Sequence, residues 1–599
     1  MNTVPASHRW AWLPPIGSWR YYTLLALLGT LILGPLGGVT ASYMNFSIGF
    51  FIGGQVLAGI LGSVVTLGYG PEGKHGANYM QTAAASVAGM AGMGVLVQAM
   101  VWLGLPPLPA WQLMLYMGAI GMFGAGVGML YTPILIDRLQ LTFPSGLAVA
   151  NILRALTDPV LLRRSIARLA SGFGLGLIGG VASTKVALLG MIELSTSTLG
   201  AGMLVGARIG IPALVAGLSG TALIPTFVSI GWLDDGAPFR KITFLIGLGL
   251  IMGAAIIDVG RLLIEAVARW RSPSAAIAHV AEPAWQRFST TRLVVWTLCW
   301  AVAVVWLGVS LLDQPPFFMV FAVVLAAIVT LVNGISLGIS DSNPISSAFV
   351  VSIVLMAALG LKDPTVGLVA GGVLLVATSV AGDMQQDRST GWRLGTPRAL
   401  QFRFQVLGLV VGAVLTVGFA ELFMNAYPVL RLDQTQMKAA EQPAQWASAM
   451  TFKFVGALRS LTDDKPYQRT AIWLGVVLGL VVQAIRTQLF NHAAYRRWRS
   501  RDAATRAADF VINAVLLPSP YAYSFGTFLG LATSCWFAAG GVLASATEGV
   551  TRRRSPASDH DDLPADMSTV SLVGGGLIAG DALAALGLGV VGLLATLAA

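Results

Sequence analysis

A chain of 599 residues that is 55% hydrophobic and only 11% charged lies far from the roughly 25% charged residues of an average soluble domain, which excludes a water-soluble globular protein. The formal net charge of +10 does not mark a nucleic-acid partner. Its arginines fall in short clusters between apolar runs instead of forming one basic face, and that pattern is membrane topology.

Residues 1–19 carry Pro, Trp and Arg where a cleavable leader would have an apolar core, so a retained cytoplasmic N-terminal segment is expected. From residue 20 onward, apolar stretches of about 20 residues recur, the length needed to cross ~30 Å of hydrocarbon. They include 21–42, 48–68 and 111–136 in a first block, 20–268, and 292–312, 317–339, 404–425 and 470–485 in a second, 292–599. A basic linker, 269–291, separates the blocks, whose similar span density suggests two-half pseudo-symmetry. Because these runs are continuous and not alternating, they are read as helices and not as a barrel. The predicted fold is all-α: a polytopic transmembrane helical bundle of about 14–16 helices in the cytoplasmic (inner) membrane. Basic clusters mark its cytoplasmic loops and place its N-terminus inside.

Charge parity fails at two places. Residues 198–231 are interrupted at Gly210 and Pro212, and 509–547 at Pro518, Ser519 and Pro520. Both read as re-entrant or broken helices, which are tolerated at membrane depth only where they are buried in protein or line a cavity. The 70 glycines suit close helix packing. Polar stretches 271–291, 431–446, 491–507 and 551–567 are too short to bury a core. Cys299 and Cys535 lie inside apolar runs and read as small buried hydrophobes, so no cysteine metal site is indicated.

An uncompensated charge in the bilayer costs at least ~2.5–3.5 kcal/mol, which singles out Lys185, Glu193, Arg208, Asp258, Asp383, Glu421 and Asp581. Plain structural readings compete at several of them. Asp258 stands three residues before Arg261 and suggests an ion pair. Lys185 and Glu421 lie near segment ends, where side chains snorkel. His75 reads as an exposed loop residue, and tryptophans such as Trp102, Trp111 and Trp473 as an interfacial belt. Asp383 and Asp387 are one helical turn apart beside Arg388 and Arg393. They read either as a proton site or as helix-capping charges.

The segment 380–398, VAGDMQQDRSTGWRLGTPR, resembles the signature loop of the oligopeptide transporter superfamily, including its yellow-stripe-like branch. Gly382, Asp383, Asp387, Thr390, Gly391, Thr396, Pro397 and Arg398 match, whereas Ser389 replaces the usual lysine. Three more segments resemble the family in its own order. They are NYMQTAAAS at 78–86, with Asn78, Gln81 and Thr82; LTFPSG at 141–146, with Phe143 for tyrosine; and GGGLIAGD at 574–581, with Asp581 for the frequent glutamate. Gly76 and Ala77 stand where the family carries a glutamate before the asparagine.

The resemblance implies a secondary transporter that imports small peptides or peptide-like metal chelates by proton-coupled symport with alternating access, without a cofactor or bound metal. Pathway candidates are Asn78, Gln81, Thr82, Pro144, Ser145, Arg208, Asn343 and Thr390; proton-coupling candidates are Asp383, Asp387, Glu193 and Asp581. The expected partners are the small-molecule solute, protons and the lipid bilayer, with no nucleic acid, and a homodimer is compatible with the sequence. No Walker-type loop is present, which disfavours ATP-driven pumping. The competing readings are an intramembrane magnesium-dependent enzyme acting on a lipid phosphate, with Asp383 and Asp387 as ligands, and a passive channel.

Overall fold

The computed structural model describes residues 10, 13–48, 55–141, 143–155, 159–186, 192–271, 283–340, 345–438, 441–443, 446–462, 466–554 and 568–598. Among them there are helices and connecting turns but no strand. In chain order the helices are α1 (Trp19–Leu27), α2 (Gly34–Ser47), α3 (Gln55–Thr66), α4 (Gly73–Gly92), α5 (Val95–Trp102), α6 (Ala110–Thr132), α7 (Pro144–Ala155) and α8 (Pro159–Lys185). Next come α9 (Thr196–Val205), α10 (Ala207–Ala222), α11 (Ile224–Ser229), α12 (Arg240–Arg271), α13 (Thr290–Ser310), α14 (Pro316–Ser340), α15 (Ile345–Ala358), α16 (Pro364–Leu394) and α17 (Arg398–Ala426). The last are α18 (Ala449–Thr462), α19 (Pro466–Asn491), α20 (Ala493–Arg499), α21 (Ala503–Val511), α22 (Pro520–Phe528), α23 (Leu531–Arg554) and α24 (Thr569–Ala598). Eleven stretches of the described chain are long and apolar enough to cross a bilayer, and four shorter apolar helices accompany them.

The helices sort by packing into two groups that cut across chain order. One combines α1–α7 with α13–α18, and α4, α6, α16 and α17 form its middle. The other combines α8–α12 with α19–α24. In the second group α8 packs along α24 and α12 along α19, while α9 lies on α23 and α10 on α22. Each of these pairs joins a helix of the first sequence block to one of the second.

The two long pairs are joined by the same device. A methyl at Gly172 or Gly176 of α8 would meet the carbonyls of Val573 and Leu577, and one at Gly576 or Gly580 of α24 would meet those of Leu169 and Phe173. Gly249 and Gly253 of α12 face Ile472 and Val476, and Gly475 and Gly479 of α19 face Ile246 and Leu250, in the same way. Glycines four apart on both helices let the backbones touch, the contact that substitutes for hydrophobic drive in lipid.

The breaks locate partly where the sequence put them. In the first, the chain turns at Gly206, φ +77°, and not at Gly210 or Pro212, which both lie inside α10. A left-handed φ favours glycine, whereas a proline near a helix start removes a single hydrogen bond. In the second, Pro518–Pro520 does interrupt the chain before α22, and a further break at Leu529–Gly530 precedes α23. With 9 and 10 residues, α22 and α9 reach only about 14–15 Å at 1.5 Å per residue, half a bilayer.

Several side-chain expectations are corrected. Cys299 and Cys535 are exposed, because their helices turn those faces outward. Asp258 makes no ion pair with Arg261; it accepts from Gln483 Nε2 at 2.7 Å and Tyr521 Oη at 3.0 Å. It therefore ties α12 to α19 and α22, where partners lie closer than along its own helix. Trp102 is buried, its indole N–H donating to Leu430 O at 2.8 Å.

Candidate functional site

The middle of the first group is polar, and each helix brings its polar residues there at helical spacing. Asp363 caps α16 by accepting from the Thr365 N–H at 2.8 Å, with Pro364 in the first turn. Gly395, φ +70°, ends the helix and Pro397 starts α17. This elbow folds α17 back against α4, so that three polar faces meet.

Gln81 of α4 donates to Asp387 Oδ1 at 2.7 Å. Gln401 of α17 donates to the Asp387 carbonyl at 2.7 Å, to Thr82 Oγ1 at 3.0 Å and to Asn78 Oδ1 at 3.4 Å. Asn78 Nδ2 in turn donates to Thr396 Oγ1 at 3.1 Å, and His75 Nδ1 shares that oxygen at 3.0 Å. His75 is thus a partly buried member of α4, not an exposed loop residue, because the helix starts before it. Where the family glutamate would stand, Gly76 faces the Tyr21 hydroxyl, which a methyl would approach to 2.6 Å.

Asp383, one turn before Asp387, is half-buried, and among the described residues no donor or cation reaches its carboxylate. It lies against Gly89 of α4, where a methyl would come within 2.6 Å of Oδ2. Asp387 Oδ2, Gln81 Oε1 and both amide atoms of Gln385 are buried without a partner among the described residues. Buried polar atoms are ordinarily satisfied, so this junction holds polar capacity that its own residues do not use.

Basic side chains frame the junction. Arg388 is fully buried, donating to Gln405 Oε1 at 2.9 Å and the Arg398 carbonyl at 3.4 Å. Arg398 grips Asp137 through both guanidinium nitrogens, at 2.7 and 3.0 Å. Arg393 turns back one helical turn onto the carbonyl of Ser389, at 3.1 Å, and its hydroxyl. A cation therefore does reach the place where the resembling family has lysine. Thr390 donates to Gly146 O at 2.9 Å, pinning the start of α7, which Pro144 opens and where Ser145 is half-buried.

The other candidates lie elsewhere. Asp581 of α24 is buried and accepts from the Ser197 N–H at 2.8 Å, in the first turn of α9, and from Tyr43 Oη of α2 at 3.2 Å. A carboxylate at a helix N-terminus is favourably placed, and this one ties the two helix groups together. Glu193 stands in the turn before α9. Arg208 of α10 pairs with Asp509 at 3.1 Å and is not brought to the junction. Asn343 falls outside the described residues. Lys185 and Glu421 are exposed.

Sequence reasoning missed Gln401, Gln405 and Asp137, and named Arg388 only as a charge beside Asp383 and Asp387. The signal was present in Gln401 and Gln405, two amides one turn apart at the head of an apolar run, but attention to ionisable groups passed over them. Among the described residues no three His, Cys, Asp or Glu side chains gather as a metal site would require.

A family model described as OPT oligopeptide transporter protein matches residues 21–591. No curated protein matches the chain.

Proposed function

The chain belongs to the oligopeptide transporter family, and from that premise, which makes it a multi-pass membrane transporter of peptides or peptide-like solutes, we propose that it imports small peptides or peptide-like metal chelates across the cytoplasmic membrane by proton-coupled symport. The observation that carries the coupling is Asp383: a carboxylate at the α4–α16–α17 junction that no donor among the described residues holds, one turn from Asp387, which Gln81 does hold. Such a group can exchange a proton with whichever side the cavity faces, while its fixed neighbour keeps the local charge balance.

Asn78, Gln81 and Thr82 are engaged with Thr396, Asp387 and Gln401. In this reading they hold the closed junction and turn to the solute when it opens. The unused capacity of Gln385 and Asp387 Oδ2 suits a cargo rich in amides. Alternating access moves the two helix groups against each other about the contacts of α2 and α17 with α24, and Asp581, held from both groups, is the coupling contact there. Residues 20–268 and 292–599 act as two related halves joined by 269–291, with the N-terminus inside, as the basic clusters suggest.

The test is counterflow by the purified protein in liposomes, against di- to hexapeptides and metal chelates, with and without a pH gradient. Uptake should accelerate with an inward proton gradient, and Asp383→Asn should reduce gradient-driven uptake to background with unchanged gel-filtration behaviour. Full gradient-driven uptake by that variant would sink the assignment.

A further inference from the structure

Helices α1 and α17 leave a groove of about 550 Å³ between them on the outside of the bundle. Its walls are Thr23 and Ala26 on α1 and Leu400, Phe404 and Leu407 on α17, with Arg403 among them. The α17 residues follow the spacing i, i+4, i+7, one face of a helix, while Gln401 and Gln405 point to the opposite side, into the junction. The lining is apolar except for Thr23, a tyrosine and one guanidinium. Arg403 is exposed and has no acidic partner among the described residues.

One turn before Thr23, Arg20 lies over the ring of Trp19, 5.8 Å from its centroid, and Trp19 is 72% exposed. An exposed tryptophan beside an arginine at a helix start marks headgroup depth. From that level the groove descends along two helices that continue into apolar, exposed surface at Leu27, Leu31 and Leu407.

We propose that this groove is a binding site for one anionic phospholipid, whose phosphate is held by Arg403 and whose acyl chain lies along Ala26, Leu400 and Leu407. Charge complementarity selects the head group, since a cation near the membrane surface attracts an anionic lipid by an amount worth about fivefold in affinity per arginine. Concavity selects a lipid over bulk annulus, because a chain in a groove touches protein on two sides. The site abuts the machinery: Phe404 stacks on Tyr79 of α4 with centroids 5.1 Å apart, and Leu400 neighbours Gln401. A lipid here braces the elbow that presents Gln401 and Thr396 to the junction, whatever the cargo.

Native mass spectrometry and thermal unfolding of the delipidated full chain test this with phosphatidylglycerol, phosphatidylcholine and soluble glycerol phosphate. Phosphatidylglycerol should be retained selectively and raise Tm, and Arg403→Ala should lower its retention about fivefold, to the phosphatidylcholine level. Thr23→Trp, which fills the groove from an exposed position and leaves Arg403 in place, should lower retention of both lipids. Equal retention of the two lipids by the unmodified chain, an undiminished preference in Arg403→Ala, or unchanged retention in Thr23→Trp would each overturn the proposal. Stabilisation by glycerol phosphate equal to that by the lipid would reassign the site to a soluble anion and overturn it too.

Discussion

Two interfaces of this molecule are built from opposite materials. At the α4–α16–α17 junction, amides, carboxylates and guanidinium groups fill the space between helices, and several of their atoms have no partner among the described residues. Along α8–α24 and α12–α19, glycines four residues apart on both helices face carbonyl oxygens across the gap. Where glycine meets backbone the contact has one arrangement, because nothing in it can rotate. One of polar side chains has several, because each group can change partner. The contrast assigns rigidity to the long pairs and rearrangement to the junction, and the following variants can break or sharpen it.

The largest effect is expected at the glycines. Gly176→Leu places a branched side chain against the Leu577 backbone, which cannot give way, and should destabilise by about 3 kcal/mol, the upper end for overpacking. Gly174, two residues away on the same helix, has nothing within 4 Å of a new methyl, so Gly174→Leu should stay within about 0.5 kcal/mol. Thermal unfolding of both variants checks this, and equal losses would remove the claim that backbone contact is what matters. Next is Arg398→Ala, which leaves Asp137 without its bidentate partner. Because Asp137 is 29% exposed, about 2 kcal/mol is expected instead of the about 3–5 of a fully buried pair. Arg398→Lys should recover only part of that, since lysine has no fork.

Gln81→Leu tests the junction itself. It removes the donor to Asp387 Oδ1 and should cost about 1.5 kcal/mol, the value of a hydrogen bond to a charged group, together with a loss of uptake. Combined with Asp387→Leu, the stability cost should be less than the sum of the two single variants, because each removes the partner of the other, while Arg388 still loses the neighbouring carboxylate. A double variant as unstable as the sum of the singles would mean that the two residues act independently.

How much of this was readable in the sequence follows from the same contrast. Asp383 and Asp387 were legible because both chemistry and spacing are local, and Pro518–Pro520 was legible as a break because proline acts on its own backbone. The turn at Gly206 was not, since glycine only permits a left-handed φ and 70 glycines offer the same permission. The stripes at Gly172 and Gly176, or Gly475 and Gly479, were visible as composition, but their partners lie hundreds of residues away along the chain. Asp258 illustrates the general difficulty. The nearby Arg261 offered an ion pair, and the fold supplied Gln483 and Tyr521 instead. Cys299 and Cys535 were misread because the outward face of a helix in lipid is as apolar as its inward face, so hydropathy does not tell them apart.

Ser389 gives the smallest expected effect and the finest test of the junction. Its hydroxyl and carbonyl both accept from Arg393, and its buried side chain packs where a methyl on Gly146 would lie 3.1 Å from its Cβ. Ser389→Ala removes one of those two acceptors and should cost about 0.5–1 kcal/mol. Ser389→Lys, which restores the residue of the resembling motif, sets a second cation one turn from Arg393, and like charges at that spacing repel. It should therefore be less stable than Ser389→Ala, and adding Arg393→Ala should restore stability by returning the site to a single cation. If the added alanine lowers Tm further, Arg393 has a separate role, and the reading that it stands in for the missing lysine fails.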